Sequence, residues 1–277
     1  MGKLRWGTSS WTEKAWDGVF YPAGLAPAEQ LPHYAETFDT VEADFTYYRV
    51  PDRRMVSGWA ARTPPGFVLS AKFPRSIVHG GDAAQPDGAK VLLREHVAAD
   101  LERFLGAMEL LGPKCGPLVL QLPYFNRQAF ASVEPFRERL GAFLGALPPT
   151  FRYGVELRNK AWIDRPMLEL LKRHRAALVL VDLAYMPHPA DLAERFDLVT
   201  ADFAYARLIG DRKKIDALTD RLDHVVLDQS ASLARWAELL RELANRVQEV
   251  YVYANNHYAG YAPDTIRDLA ARVGEAE

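Results

Sequence analysis

Cysteine is nearly missing from this chain: Cys115 is the one thiol in 277 residues. It has no partner for an intrachain disulfide, and a zinc site built on cysteines is excluded. Within Lys114-Cys115-Gly116-Pro117 it reads as a buried, inert thiol at a strand entry. An excess of one charge is also lacking. The formal net charge is −2, so nothing in bulk draws the chain to anionic lipid, and nucleic acid as a partner is not supported by net charge. A local basic groove stays open as an alternative. No apolar run is long enough to span a bilayer. The first residues, Met1-Gly2-Lys3-Leu4-Arg5-Trp6, lack the apolar stretch of a signal peptide, and Trp6 stands where a myristoylation site needs Ser or Thr. The expectation is a cytoplasmic protein with no membrane partner. There is no glycine-rich dinucleotide fingerprint, no P-loop, no HExxH and no nucleophile elbow. His33, His96, His174 and His224 show no metal-ligand spacing.

What is present is a large apolar fraction, 49%, beside an average charged fraction of 25%. Such a chain can bury a substantial core and is not disordered overall. Strands are expected at Leu4 to Thr8, Thr40 to Phe45, Phe67 to Phe73, Pro117 to Leu122, Arg152 to Leu157, Ala177 to Val181, Phe203 to Ile209 and Glu249 to Ala254. Amphipathic helices lie between them. The clearest carries Val97, Leu101, Phe104, Leu105, Met108 and Leu111 on one stripe and stops at Gly112-Pro113. Residues 77–88 read as a long loop. The segment between the sixth and seventh strands is weakly patterned, so an irregular sixth helix is allowed for. Alternation means parallel strands joined by right-handed crossovers. About eight such units, with no edge-protecting pattern on any strand, predict an α/β fold: a single TIM (β/α)8-type barrel over residues 1–277, as one domain.

The apolar runs end in polar clusters, and parallel α/β folds carry their chemistry on that rim. Glu42 and Asp44, two apart in a strand, are expected to point the same way. Neighbouring carboxylates need a cation between them or a shared proton. Lys72, among the apolar neighbours of Leu69-Ser70-Ala71-Lys72-Phe73, needs an acid such as Glu42 or Glu156. It can be a plain salt bridge, an anion clamp together with Arg75, or a base or amine nucleophile. His79, beside Gly80-Gly81, is a proton shuttle or a surface residue. Glu156 and Arg158 form a self-neutralising pair or an acid/base group set by its neighbour.

Gln121 ends the fourth strand. Asp182 follows Leu178-Val179-Leu180-Val181 and must find donors, in a site or as a loop cap. Arg207, inside the seventh strand, needs an acid or an anionic ligand. Gly210-Asp211-Arg212-Lys213 is a solvated turn or a phosphate contact. Asn255, Asn256 and His257 precede a helix start. Free backbone amides there suit an anion, and the Asn side chains suit sugar hydroxyls; a turn is the bland alternative. Trp11, Trp16, Tyr47, Tyr48, Tyr124, Phe125 and Trp162 either stack on a ligand or pack under loops. A divalent-metal site can be drawn from Glu42, Asp44, Glu156, Asp182 and His257, but spacing does not demand it, and the cofactor is unread.

With these residues in view, the chain resembles the YecE-like family of barrel proteins, a domain of unknown function. The resemblance rests on Gly7-Thr8-Ser9 with Trp11, Trp16-Asp17-Gly18 with Tyr21-Pro22, and Thr40-Val41-Glu42 with Thr46-Tyr47-Tyr48. It continues through Lys72, Pro74-Arg75 and His79, then Gly116-Pro117 with Gln121-Leu122-Pro123. Glu156, Arg158 and Trp162, Arg207 with Gly210, and Asn255-Asn256 with Gly260 complete it. The family implies a TIM barrel with a rim site and no settled reaction. Two positions depart from its pattern: many members have Asn where Asp44 stands, and His where Ile209 stands.

The function expected is an acid/base enzyme working at the C-terminal rim on a small anionic substrate, such as a phosphorylated sugar or nucleotide-like molecule. Glu42, Lys72 and Glu156 are the candidate catalytic groups. Asp44, Tyr48, Arg75, His79, Gln121, Arg158, Trp162, Asp182, Arg207, Asn255, Asn256 and His257 are the candidate binding groups. The alternatives are a metal-dependent phosphodiesterase or nuclease, and a non-catalytic small-molecule binding protein. The oligomeric state is not legible.

Overall fold

A computed structural model describes residues 1–274. The chain begins β1 (Lys3–Thr8), α1 (Pro27–Thr37), β2 (Thr40–Ala43), α2 (Arg53–Arg62), β3 (Val68–Lys72), α3 (Arg75–Val78), α4 (Arg94–Met108), β4 (Cys115–Gln121) and α5 (Val133–Ala146). It continues β5 (Tyr153–Glu156), α6 (Arg165–Arg173), β6 (Ala177–Leu183), α7 (Pro189–Ala193), β7 (Phe203–Gly210), α8 (Arg212–Leu218), α9 (Ser230–Ala244), β8 (Glu249–Ala254) and α10 (Ala262–Gly274). All strand pairs are parallel, in the order β1-β8-β7-β6-β5-β4-β3-β2. This is the nearly closed α/β barrel that the alternation predicts. No helix among the described residues is long and apolar enough to cross a membrane.

The seam between β1 and β2 is closed by side chains. The Tyr34 hydroxyl, on α1, accepts from the Thr8 amide at 2.8 Å and lies 3.2 Å from the Thr40 carbonyl. Asp39 Oδ1 accepts from the Trp6 amide at 2.9 Å. A β-carbon at Gly7 would sit 2.1 Å from the Thr40 carbonyl oxygen, so glycine lets the two strands approach.

One apolar cluster lies between strands and helices, and a second fills the barrel with Val68, Val119, Ala177, Val179, Phe203, Tyr205, Tyr251 and Tyr253. Tyrosines replace many of the branched aliphatics usual in such a core. Their hydroxyls need partners there. Tyr253 meets Thr40 Oγ1 at 2.7 Å and Ser70 Oγ at 2.9 Å, while Tyr251 donates to Glu249 at 2.8 Å. Polar chemistry therefore enters the barrel from both ends.

Three local expectations change and one, for the sixth crossover, holds. β2 stops at Ala43 and Asp44–Tyr47 forms a 3-10 turn, so Glu42 and Asp44 do not share an extended strand. Thr46 supplies a local reason. Its Oγ1 lies 2.9 Å from the Ala43 carbonyl and 2.8 Å from the Lys72 carbonyl, and accepts from the Lys72 amide. The loop expected at 77–88 opens inside α3. The sixth crossover keeps only the short α7, in line with its weak pattern. Gly210-Asp211-Arg212-Lys213 is no free turn: Asp211 caps α8, accepting from the Lys214 amide at 3.2 Å.

Candidate functional site

Successive inward positions on the strands place Arg207 (β7), Glu42 (β2), Glu156 (β5), Lys72 (β3) and Gln121 (β4) at the C-terminal end of the barrel. Arg207 is the centre of this layer. Its Nη2 donates to Glu42 at 2.8 Å, and its Nη1 donates to Gln121 Oε1 at 2.9 Å and to Glu156. Tyr205, one turn of the pleat below, donates to the other Glu42 oxygen at 2.8 Å. Arg158 donates to Glu156 at 2.5 Å and reaches the Tyr185 hydroxyl at 3.2 Å. A planar fork serves two carboxylates at once with fixed, divergent N–H groups, a geometry that the single point charge of a lysine does not reproduce.

Both carboxylates of this layer are fully buried. Burial pushes the Glu156 carboxyl up, but Arg158 and Arg207 outweigh it and hold the group at about 2. Glu156 is thus a fixed anion at neutral pH. Lys72 behaves differently. Its ammonium lies 3.5 Å from Glu42 and makes no hydrogen bond among the described residues. Burial, with Arg207 nearby, lowers its pKa despite the attraction of Glu42 and Asp44. Asp44 is raised, first by burial, with Lys72 pulling it back and Glu42 adding to the rise. The two groups whose protonation moves towards neutrality are therefore Lys72 and Asp44.

The side chain of Arg75, the first residue of α3, makes no hydrogen bond or ion pair among the described residues, and its Nε is buried without a partner. Beside it His79 Nε2 lies 2.5 Å from the Tyr47 hydroxyl, and His79 Nδ1 is buried and unpartnered. Burial and the Arg75 charge lower the His79 imidazole to about 4, so it is neutral at pH 7. The following loop is tied back, with the Asp87 amide donating to the His79 carbonyl at 2.8 Å.

At the end of β8, Asn255 Oδ1 accepts from the backbone amide and Nδ1 of His257, at 3.0 and 2.9 Å. Asn256 Oδ1 caps the Ala262 amide at 2.9 Å. Next comes Pro263, which has no N–H. Of the helix-start amides expected to face an anion, that of Ala262 is thus taken by a side chain. Gly210, at φ +76°, packs under this loop, where a β-carbon would meet the His257 carbonyl at 2.5 Å. A pocket of about 220 Å³ opens here, lined by Ser9, Ser10, Trp16, Asp44, Asn255 and Asn256 among others.

Some expected residues stand elsewhere. Asp182 turns away from the barrel axis, accepting from Ser232 at 2.9 Å, Tyr258 at 3.0 Å and Trp236 Nε1 at 3.1 Å. Trp162 stacks on Phe136 and Phe125, with ring centroids 4.8 and 5.8 Å apart. Tyr48 is 69% exposed on the rim, edge-on to Tyr47. His257 faces Asp216 at 3.3 Å. Among the described residues no three His, Cys, Asp or Glu side chains group to hold a metal ion. The five drawn as a metal set do not converge, because arginines occupy Glu42 and Glu156 and Asp182 points outward. A larger apolar groove, about 720 Å³, lies between α4 and α5 and contains none of these residues.

The sequence left Tyr205 and Ser9 out of the candidate site and offered Trp16 only as an aromatic that stacks on a ligand or packs under loops. Tyr205 was detectable, because it shares a strand face with Arg207 two residues on. Nothing local marks the Ser9 hydroxyl or the Trp16 indole nitrogen as a polar contact, and both stand out only as buried polar atoms that lack partners.

The sequence matches the family described as "Protein of unknown function DUF72" over residues 5–277, and the chain belongs to that family. It is 32% identical over 155 residues to UPF0759 protein YecE of Escherichia coli K12, a match covering 55% of this chain and 47% of that protein. The match thus spans about half the length of this curated relative. A solved DUF72 family protein from Thermotoga maritima superposes with TM-score 0.73 at 28% identity, covering 99% of this chain and 100% of that one. One from Enterococcus faecalis gives TM-score 0.69 at 20% identity, covering 99% and 96%, and shows likeness of fold alone.

Proposed function

We propose that this DUF72-family barrel is an acid/base enzyme for a small anionic substrate held at the C-terminal mouth. The observation that carries the reading is an excess of unsatisfied positive charge in a sheltered place. Three cations (Lys72, Arg158 and Arg207) serve two buried carboxylates (Glu42 and Glu156), with Asp44 a third acid near Lys72, so the excess is the charge of Arg75. Arg75 adds a fourth cation, its guanidinium without a partner among the described residues. Burying such charge is costly unless an anion completes it. Arg75 and Arg158 hold the anionic group, and His79 with Tyr47 supplies a neutral contact beside it.

Proton handling falls to Lys72 and Asp44. A carboxylate raised towards neutrality is a better base, and an ammonium lowered towards neutrality is a better acid. Glu42 orients the ammonium. Glu156 anchors Arg158 and Arg207 rather than exchanging protons, a change from the part expected of it. A phosphorylated sugar or nucleotide-like molecule fits the requirement.

The test is a screen of phosphorylated metabolites for consumption by the purified protein, read by mass spectrometry, beside Lys72→Met and Arg75→Met. The reading expects turnover in the wild type, none in Lys72→Met, and weakened anion binding in Arg75→Met. Anion binding through Arg75 without any turnover would instead make this a binding protein. No anion binding would remove the site.

A further inference from the structure

The pocket between the ends of β1, β2 and β8 has a chemistry the charged layer does not use. Ser9 is 3% exposed and Trp16 is 1% exposed. Both line the pocket, and Ser9 Oγ and Trp16 Nε1 are buried without any hydrogen-bond partner. Unpaired buried donors are rare and call for an explanation. Two more donors join them. The Asn255 and Asn256 oxygens are anchored as described above, which fixes each amide plane, and neither Nδ2 makes a hydrogen bond among the described residues. Four residues with an unpaired neutral donor thus line one small pocket, together with Asp44, whose carboxyl is an acceptor.

This donor set excludes two occupants. An isolated anion would want charge, and the only ionisable groups lining the pocket besides His257 are the acids Glu13 and Asp44. A nucleobase would want an aromatic face. The Trp16 ring is instead packed against Phe20, Tyr21 and Tyr261, with centroids 5.4, 6.1 and 6.1 Å away. Its ring edge carries the unpartnered polar atom. At about 220 Å³ the pocket falls below the range of roughly 300–1,000 Å³ for drug-sized ligands, so it takes a fragment. Asp44 feels the charges of Lys72 and Arg207, so the pocket adjoins the charged layer.

We infer that this pocket is the subsite for the uncharged, polyhydroxylated part of the substrate, a single sugar-like ring or chain whose anionic end lies toward Arg75. The inference rests on the anion-site reading above and narrows it to a sugar phosphate or similar acidic polyol. Hydroxyl oxygens accept from Ser9, Trp16, Asn255 and Asn256, and one hydroxyl donates to Asp44. The same contact puts that hydroxyl and its carbon beside the Lys72–Asp44 pair.

The test is calorimetric titration of inorganic phosphate, glycerol 3-phosphate, ribose 5-phosphate and glucose 6-phosphate into wild type, Ser9→Ala, Trp16→Phe and Arg75→Met. At least one sugar or polyol phosphate should bind the wild type tenfold or more tighter than inorganic phosphate. Ser9→Ala should cut that advantage by about three- to tenfold, the worth of one neutral hydrogen bond, with phosphate binding unchanged. Its melting temperature should hold or rise, since the variant deletes an unpaired buried hydroxyl. Trp16→Phe is the second arm and should also erode the advantage. If phosphate binds through Arg75 but no polyol phosphate gains on it, or if both pocket variants keep the full gain, the subsite is refuted while the anion site stands. If phosphate binding is absent, or indifferent to Arg75→Met, the anion site itself falls and this inference with it.

Discussion

Arg207 Nη2 lies 2.8 Å from Glu42 Oε1 with both side chains sealed from solvent, joining β7 to β2 across the barrel. The same guanidinium holds Glu156 on β5. Removing one partner of a buried pair strands the other charge. Arg207→Met leaves two carboxylates short of a cation and should cost about 3–5 kcal/mol in urea unfolding. Arg207→Lys should recover only part of that, because a single ammonium nitrogen replaces the two guanidinium nitrogens that reach the two acids. A lysine variant as stable as wild type would show that the bidentate geometry is unimportant.

The β1–β2 seam depends on Tyr34. Tyr34→Phe keeps the ring packing but leaves the Thr8 amide and Thr40 carbonyl without the hydroxyl. The expected loss is about 2–3 kcal/mol. Hydrogen exchange should speed up selectively at β1 and β2. Uniform exchange with an unchanged midpoint would mean that the seam closes without this bridge.

Acid should weaken the fold over a defined window. Glu156 and Glu249 are both held at about 2 against an ordinary 4.5. At Glu249 burial opposes ionisation, but hydrogen bonds from Arg152, Arg5 and Tyr251 outweigh it. The unfolded chain takes up these protons near 4.5, and the folded chain only near 2. Their stabilisation is therefore complete above about 4.5 and is lost as pH falls toward 2. Glu249→Gln should be less stable than wild type at neutral pH and should lose less on acidification. Parallel losses in the two proteins would contradict the assignment.

Lys72 should titrate below the ordinary 10.5, as read from its side-chain nitrogen resonance. Asp44 should titrate above 3.8, as read from its carboxyl carbon. If both take part in turnover, the rate rises with pH as Asp44 ionises, stays level, and falls as Lys72 loses its proton. Asp44→Asn should abolish the rising limb. A rising limb that survives in that variant would assign it to another group.

The barrel was legible because parallel strands buried on both faces must be short apolar runs, and crossover helices must be amphipathic. The rim was legible too. Glu42, Lys72, Gln121, Glu156 and Arg207 stand near the C-terminal ends of separate strands, and only the mouth of a barrel brings such ends together. Local chemistry the chain could not announce was settled by neighbours distant in sequence. Asp44 left the strand face of Glu42 because of Thr46. Asp182 turned outward to meet Ser232, Trp236 and Tyr258.

Sequence alone determined the strand–helix alternation and the polar strand ends, since both follow from periodicity within a few neighbouring residues. Tertiary structure alone decided which charges are spent on one another and which remain free. Arg207 and Arg75 are the same residue type, yet one is consumed by two carboxylates and the other faces none among the described residues. That difference depends on distances between residues far apart in the chain, and no local pattern encodes such distances.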